Sequence, residues 1–227
     1  MRTDDPNLPN LRAIAAAIGE LCDRVVFVGG ATAGLLVTDP AAEIVRATKD
    51  VDAIVEAGLG EFHRMGEEIA SRGFAHDTAS GLICRWIHRE SRVEFDLMPV
   101  DPGVLGFSNR WYRYAIDSAE RVDLGEGVIV RCVTAPAFVA TKLDAFADRG
   151  NGDILASHDL EDILNIVDGR EELITELSAA PAAVAEAVRD AIGRLLAHPD
   201  FSNALPGLIT DADRSEIVIR RLRTLAA

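Results

Sequence analysis

The sequence predicts an α/β (α+β) protein, with a mixed sheet and flanking helices followed by a packed C-terminal helical region. Three observations carry this. Short apolar runs bounded by glycine and polar turn residues are confined to about the first 135 positions. From Thr134 onward, apolar residues recur at helical spacing. The chain has 227 residues and is 48% hydrophobic, enough for a sizeable core. The expected division is 1–135 for the α/β domain and 136–227 for the helical domain, with no low-complexity linker at the boundary.

The elements follow in order. Residues 8–22 place Leu11, Ile14, Ile18 and Leu21 on one helical face. RVVFVGG reads as a buried strand ending in two glycines, and ATAGLLV opens a helix. TDPAAEIVRAT contains an Asp-Pro breaker and reads as a loop. KDVDAIVE is the second strand. LGEFHRMGEEIASRG is an amphipathic helix stopped at Gly73. GLICRWIH (81–88) and RVEFDLMPV (92–100) read as two strands joined by the polar link RES, a hairpin. VIVRCV is a further strand in an otherwise mixed stretch, 101–135. APAFVATKLDAFADRG and SHDLEDILNIVDGR are helices, the second with Ser157 as N-cap. EELITELSAA, PAAVAEAVRDAIGRLLAHP and DADRSEIVIRRLRTLAA complete the helical part.

Composition narrows the function. The formal net charge of −14 argues against gripping nucleic acid by general electrostatics. It leaves room for a local basic patch, for which Arg46, Lys49, Arg85, Arg89 and Arg92 are candidates, and for cationic small-molecule partners. Cys22, Cys84 and Cys132 fit neither a disulfide framework nor a zinc site, which suits a reducing cytoplasm. No apolar run is long enough to cross a bilayer, and no signal-peptide pattern opens the chain.

The chemistry centres on Asp50 and Asp52. Side chains two apart on a strand point to the same face, so these carboxylates stand side by side. Such anions repel, and a magnesium ion between them, taking carboxylate oxygen, relieves the repulsion. A solvated sheet edge carries the same pattern. RVEFDLMPV offers Asp96 as a third carboxylate from a neighbouring strand, with Glu94 as its rival. Three carboxylates from two strands can hold two divalent ions about 4 Å apart. One would activate an attacking hydroxyl, and the other would hold a triphosphate and its leaving pyrophosphate. Gly29 and Gly30 let the backbone approach a phosphate, or simply make a tight strand-to-helix turn. Neither a Walker A loop nor a dinucleotide fingerprint is present.

Together, VFVGGATAGLL, TKDVDAIVE and VEFDLMPV resemble the polymerase-β-like nucleotidyltransferase superfamily. TKLDAFADRGNGDILASHDLEDILNIVDGR (141–170) is similar to the lysine-helix and Asp-x-x-Asp segment of the AbiE-type toxin nucleotidyltransferases, which include the MenT toxins. The resemblance spans residues 24–170. It implies a nucleotidyltransferase fold and magnesium-dependent transfer of an NMP group from an NTP to an acceptor hydroxyl. The acceptor would be tRNA, with a cognate antitoxin as partner, or alternatively an aminoglycoside-like small molecule. A non-catalytic nucleotide-binding protein is the remaining alternative. By the resemblance, Asp50, Asp52 and Asp96 hold the metals, and Gly29 and Gly30 hold phosphates. Thr48 supplies a hydroxyl beside the first carboxylate. Lys142 contacts the triphosphate, Asp159 and Asp162 complete the nucleotide pocket, and Arg149 is a weaker candidate for it. TDPAAEIVRA stands as an insertion relative to the superfamily spacing.

Spacing gives an independent view of the second cluster. Lys142 and Arg149 share a helical face, as do Asp159 and Asp162. An interhelical salt-bridge set without chemistry has the same spacing. His158-Asp159 lacks the further histidines of a metal phosphohydrolase. Trp86 and Trp111 suit packing or base stacking, and Cys84 and Cys132 suit inert core thiols.

Overall fold

The computed structural model describes residues 4–149, 154 and 157–227. In chain order the first elements are α1 (Leu8–Ile18), β1 (Val25–Val28), α2 (Ala33–Leu36), β2 (Asp50–Val55) and α3 (Leu59–Ser71). Next come β3 (Phe74–His76), β4 (Arg85–His88), β5 (Glu94–Pro99), α4 (Pro102–Leu105), α5 (Tyr112–Asp117), β6 (Glu120–Asp123) and β7 (Ile129–Cys132). The helical stretch holds α6 (Ala135–Arg149), α7 (His158–Gly169), α8 (Leu173–Ala179), α9 (Ala182–Ala197), α10 (Phe201–Leu208) and α11 (Ala212–Leu225). The chain forms two compact units. One comprises 4–32 and Arg46–Thr134, the other Ala33–Val45 and Ala135–Ala227.

The first unit is built on a seven-stranded mixed sheet of order β3-β4-β5-β2-β1-β7-β6. The β2/β5 and β1/β7 pairs are parallel; the other neighbours are antiparallel. β1 is buried at all four positions, as expected of a central strand covered on both faces. In β2, Val51 and Ala53 are buried while Asp50 and Asp52 are half-buried, so the alternation of the strand presents the two carboxylates together. α1 buries Leu8, Leu11, Ile14, Ala15 and Ile18, the predicted stripe. α3 ends at Ser71, and Gly73 follows with φ +91, a conformation that a glycine adopts without strain. The β4–β5 hairpin pairs Arg85 with Asp96, Trp86 with Phe95 and Ile87 with Glu94.

The second unit is helical. α6, α7, α9 and α11 bury Phe138, Leu160, Ile163, Ile192, Val218 and Leu222. Ser157 caps α7 by accepting the Leu160 N–H at 3.2 Å. The segment 33–45 belongs to this unit because it docks on the end of α7. Thr38 and Asp39 donate their backbone N–H groups to the Gly169 carbonyl at 2.9 Å. A Cβ on Gly169 would lie 2.8 Å from Cγ1 of Val37, so glycine is what admits the segment. Arg214 then joins Asp168 at 2.8 Å and Asp39 at 2.7 Å. Burial pushes Asp168 above the usual carboxylate range, although Arg214 opposes that shift.

Several elements differ from sequence expectation: β3, α4 and α5 form where none was expected, and three further cases have a clear cause. The expected strand over 81–88 is regular only from Arg85; Gly81 has φ +73, and Arg85 N–H closes a turn on Leu82. β6 (ERVD) shows no apolar alternation, yet it forms because β7 offers it an edge to pair with. α10 carries Pro206 and Gly207, which read as breakers, but its Phe201, Ala204 and Leu205 are buried and hold it helical.

Candidate metal centre

Parallel pairing of β2 with β5 sets the site. The register places Asp50 beside Glu94 and Asp52 beside Asp96. In a parallel ladder, paired residues share a face, so four carboxylates line one side of the sheet. Asp50, Asp52 and Asp96 each present an oxygen within 4.8 Å of the others. Asp96 is buried, and the two β2 carboxylates are half-buried. An all-oxygen set this compact could hold a metal ion.

Arg85 reaches into this face from β4. Its Nε donates to Asp96 Oδ1 at 2.8 Å and its Nη2 to Asp96 Oδ2 at 2.8 Å, a bidentate pair. Nη2 also lies 3.0 Å from Asp50 Oδ2, and Nη1 lies 2.7 Å from Glu94 Oε2. The hydrogen bonds to Asp96 lead in holding the guanidinium above even its usual high pKa, against the opposing effect of burial. Among these five side chains negative charge is in excess.

The glycine turn adjoins the set. Gly29 has φ +74, and a Cβ there would lie 2.8 Å from Cγ of Asp52 and overlap its carboxylate. Gly29 is therefore required by Asp52 as well as by the turn. Its carbonyl accepts from Thr32 N–H at 3.1 Å and Thr32 Oγ1 at 2.9 Å, closing the 3-10 turn Gly30–Thr32. Gly30 is buried in that turn.

Thr48 acts on the backbone. Its hydroxyl donates to the Asp50 carbonyl at 3.0 Å. Its N–H donates to Asn7 Oδ1 at 2.8 Å, while Asn7 Nδ2 donates to the Arg46 carbonyl at 3.0 Å. Asn7 is fully buried and fixes the approach to β2.

The helical unit holds a second cluster. Lys142 Nζ of α6 sits 2.9 Å from Asp159 Oδ1 and 2.7 Å from Asp162 Oδ2, both on α7. The side chain of Asp162 is 1% exposed. Burial pulls the lysine pKa down, but Asp162 and Asp159 together outweigh it and hold the group above its usual value. The structure thus brings together Lys142, Asp159 and Asp162. The side chain of Arg149 lies outside the described residues.

The cysteines resolve as core thiols, and Trp86 lies off the carboxylate face. Cys22 and Cys84 are buried and pushed to about 11, Cys132 to about 12, in each case mainly by burial. Trp86 faces away from Arg85 on the opposite side of β4. There it walls a cavity of about 370 Å³ with Phe62, Gly66, His76 and Leu97. Among the described residues no helix is long and apolar enough to cross a membrane.

Sequence reasoning missed Arg85 and Asn7 as parts of this centre, and offered Glu94 only as a rival to Asp96, whereas both line the same face. A signal for Arg85 existed. Centring the hairpin between Glu90 and Ser91 sets Arg85 opposite Asp96. Nothing local marks the Asn7 side chain, whose partners lie 39 and 41 residues away.

No family model matches the chain, and no curated protein does. Among solved structures, the chain is similar in fold to JHP933 from Helicobacter pylori. The TM-score is 0.50 at 11% identity, covering 97% of this chain and 91% of that one. The likeness supports a mixed α/β fold with a helical C-terminal region.

Proposed function

We propose that the protein is a metal-dependent nucleotidyltransferase similar to the AbiE-type toxin enzymes. It moves an NMP group from an NTP to an acceptor hydroxyl and releases pyrophosphate. The observation that carries the reading is the meeting of Asp50, Asp52 and Asp96 oxygens within 4.8 Å beside the Gly29 turn. On such a set magnesium would supply charge neutralisation of the triphosphate and a lowered pKa for the entering hydroxyl. Asp50, Asp52 and Asp96 hold the ions, and one carboxylate of the set takes the acceptor proton. Lys142 contacts the triphosphate, its ammonium steadied by Asp159 and Asp162. Gly29 and Gly30 bring the backbone close to phosphate, and Thr48 braces the start of β2.

The 141–170 resemblance favours a tRNA acceptor, a toxin role and a cognate antitoxin. The net charge of −14 favours a cationic small molecule. The grip of Arg85 on three carboxylates favours a different reading, a structural ion cluster without chemistry.

Calorimetry of each NTP with magnesium, on wild type and Asp50→Ala, tests the proposal. Magnesium-dependent binding in the wild type that disappears in the variant is expected. Labelled NTP is then offered to a tRNA pool and to aminoglycosides to find the acceptor. Folded wild type that binds no NTP and labels neither acceptor would leave the ion-cluster reading.

A further inference from the structure

Arg85 is placed unlike an ordinary surface arginine. Its side chain is 15% exposed, and its three guanidinium nitrogens contact three different carboxylates. Two of these, Asp50 and Asp96, belong to the compact oxygen set; Glu94 does not. The guanidinium holds both oxygens of Asp96 and one of Asp50. A divalent cation drawn to the set meets a positive charge already seated on two of its three ligands.

We propose that Arg85 is a resident counter-cation that a divalent metal ion must displace, so that this residue sets the metal affinity of the centre; the inference rests on the metal-site reading above. Removal of all cations from four clustered carboxylates would leave strong repulsion in a half-buried place. Arg85 relieves it and so stabilises the metal-free protein. When the ion enters, Nε and Nη2 let go of Asp96 and Asp50. Nη1 keeps Glu94, which stands outside the oxygen set and holds the guanidinium beside it. A planar guanidinium so placed is suited to a phosphate oxygen. Arg85 is thus a positioning residue that exchanges carboxylate partners as the centre fills.

The test is manganese binding to chelator-stripped full-length protein, by calorimetry, with thermal midpoints in chelator and in manganese. The proteins are wild type, Arg85→Gln, Arg85→Lys and Asp52→Asn. Arg85→Gln is expected to bind manganese roughly tenfold or more tighter than wild type, because a competing unit charge is removed from two of the ligands. Its midpoint should be lower in chelator and should rise further on adding the ion. Arg85→Lys keeps the charge but not the bidentate grip, so its affinity should fall between the two, which keeps the test open should Arg85→Gln not fold. Manganese binding that Asp52→Asn abolishes, but that is no tighter in either arginine variant, would overturn the role of Arg85 and leave the metal site standing. No binding to any of the four would overturn both. Binding to Arg85→Gln alone would support both.

Discussion

Asp52 occupies the space that any side chain at Gly29 would need: a Cβ at that position would lie 2.8 Å from Cγ of Asp52. The backbone there is also left-handed, at φ +74. Gly29→Ala should therefore lower stability by about 1–3 kcal/mol from backbone strain alone. It should also swing Asp52 out of the oxygen set. Thermal unfolding and manganese calorimetry on the same sample check this. A folded variant with unchanged manganese affinity would remove Asp52 from the ligands.

Asn7 holds both Thr48 and the Arg46 carbonyl from a fully buried position. Asn7→Ala strips two partners from the backbone that leads into Asp50. The expected cost is about 1–3 kcal/mol for polar groups left unsatisfied. Metal affinity should weaken although the substitution touches no carboxylate of the centre. Equal manganese affinity, measured alongside denaturant unfolding, would show that the approach to β2 needs no such anchor.

Lys142→Ala leaves the nearly inaccessible Asp162 carboxylate without its ammonium. Loss of a buried partner costs about 3–5 kcal/mol, so the helical unit should be strongly destabilised. Lys142→Met separates the roles, since it fills the space but carries no charge, and it should weaken NTP binding more than manganese binding. The folded lysine pKa is raised above the ordinary 10.5. Its stabilisation is therefore fully present below that value and fades only as pH rises through the higher folded pKa. The stability gap between wild type and Lys142→Met should stay level on the alkaline side of neutrality until about that point. A gap that narrows well below it, in pH-dependent denaturant titrations, would contradict the raised pKa.

The parts of this centre legible in the sequence are those fixed by strand periodicity. Asp50 and Asp52 follow from the two-residue repeat of β2, and Asp96 from that of β5. In the separate cluster of the helical unit, spacing puts Asp159 and Asp162 on one face of α7, but that Lys142 of α6 meets them is not written in the spacing. What periodicity does not encode is which charges meet. Arg85 reads as a surface base until the hairpin register turns it onto Asp96. Thr48 offers a hydroxyl in the sequence, but in the fold that hydroxyl is spent on the Asp50 carbonyl. The docking of 33–45 on α7 depends on a missing Cβ at Gly169, more than 120 residues away. Such tertiary contacts also decide that β6 pairs and that α10 survives its proline.

The strand order has a consequence for how the site fails. Asp50, Asp52, Asp96 and the turn at Gly29 stand on or beside β5, β2 and β1, the three middle strands of seven. β3 and β6 are the outermost strands and are three and four residues long. Fraying begins where ladder bonds are fewest, at those rims. Damage to either margin leaves the carboxylate floor paired on both sides. The candidate metal centre sits on the part of the sheet that would be the last to loosen, so its geometry should outlast partial melting of the domain around it.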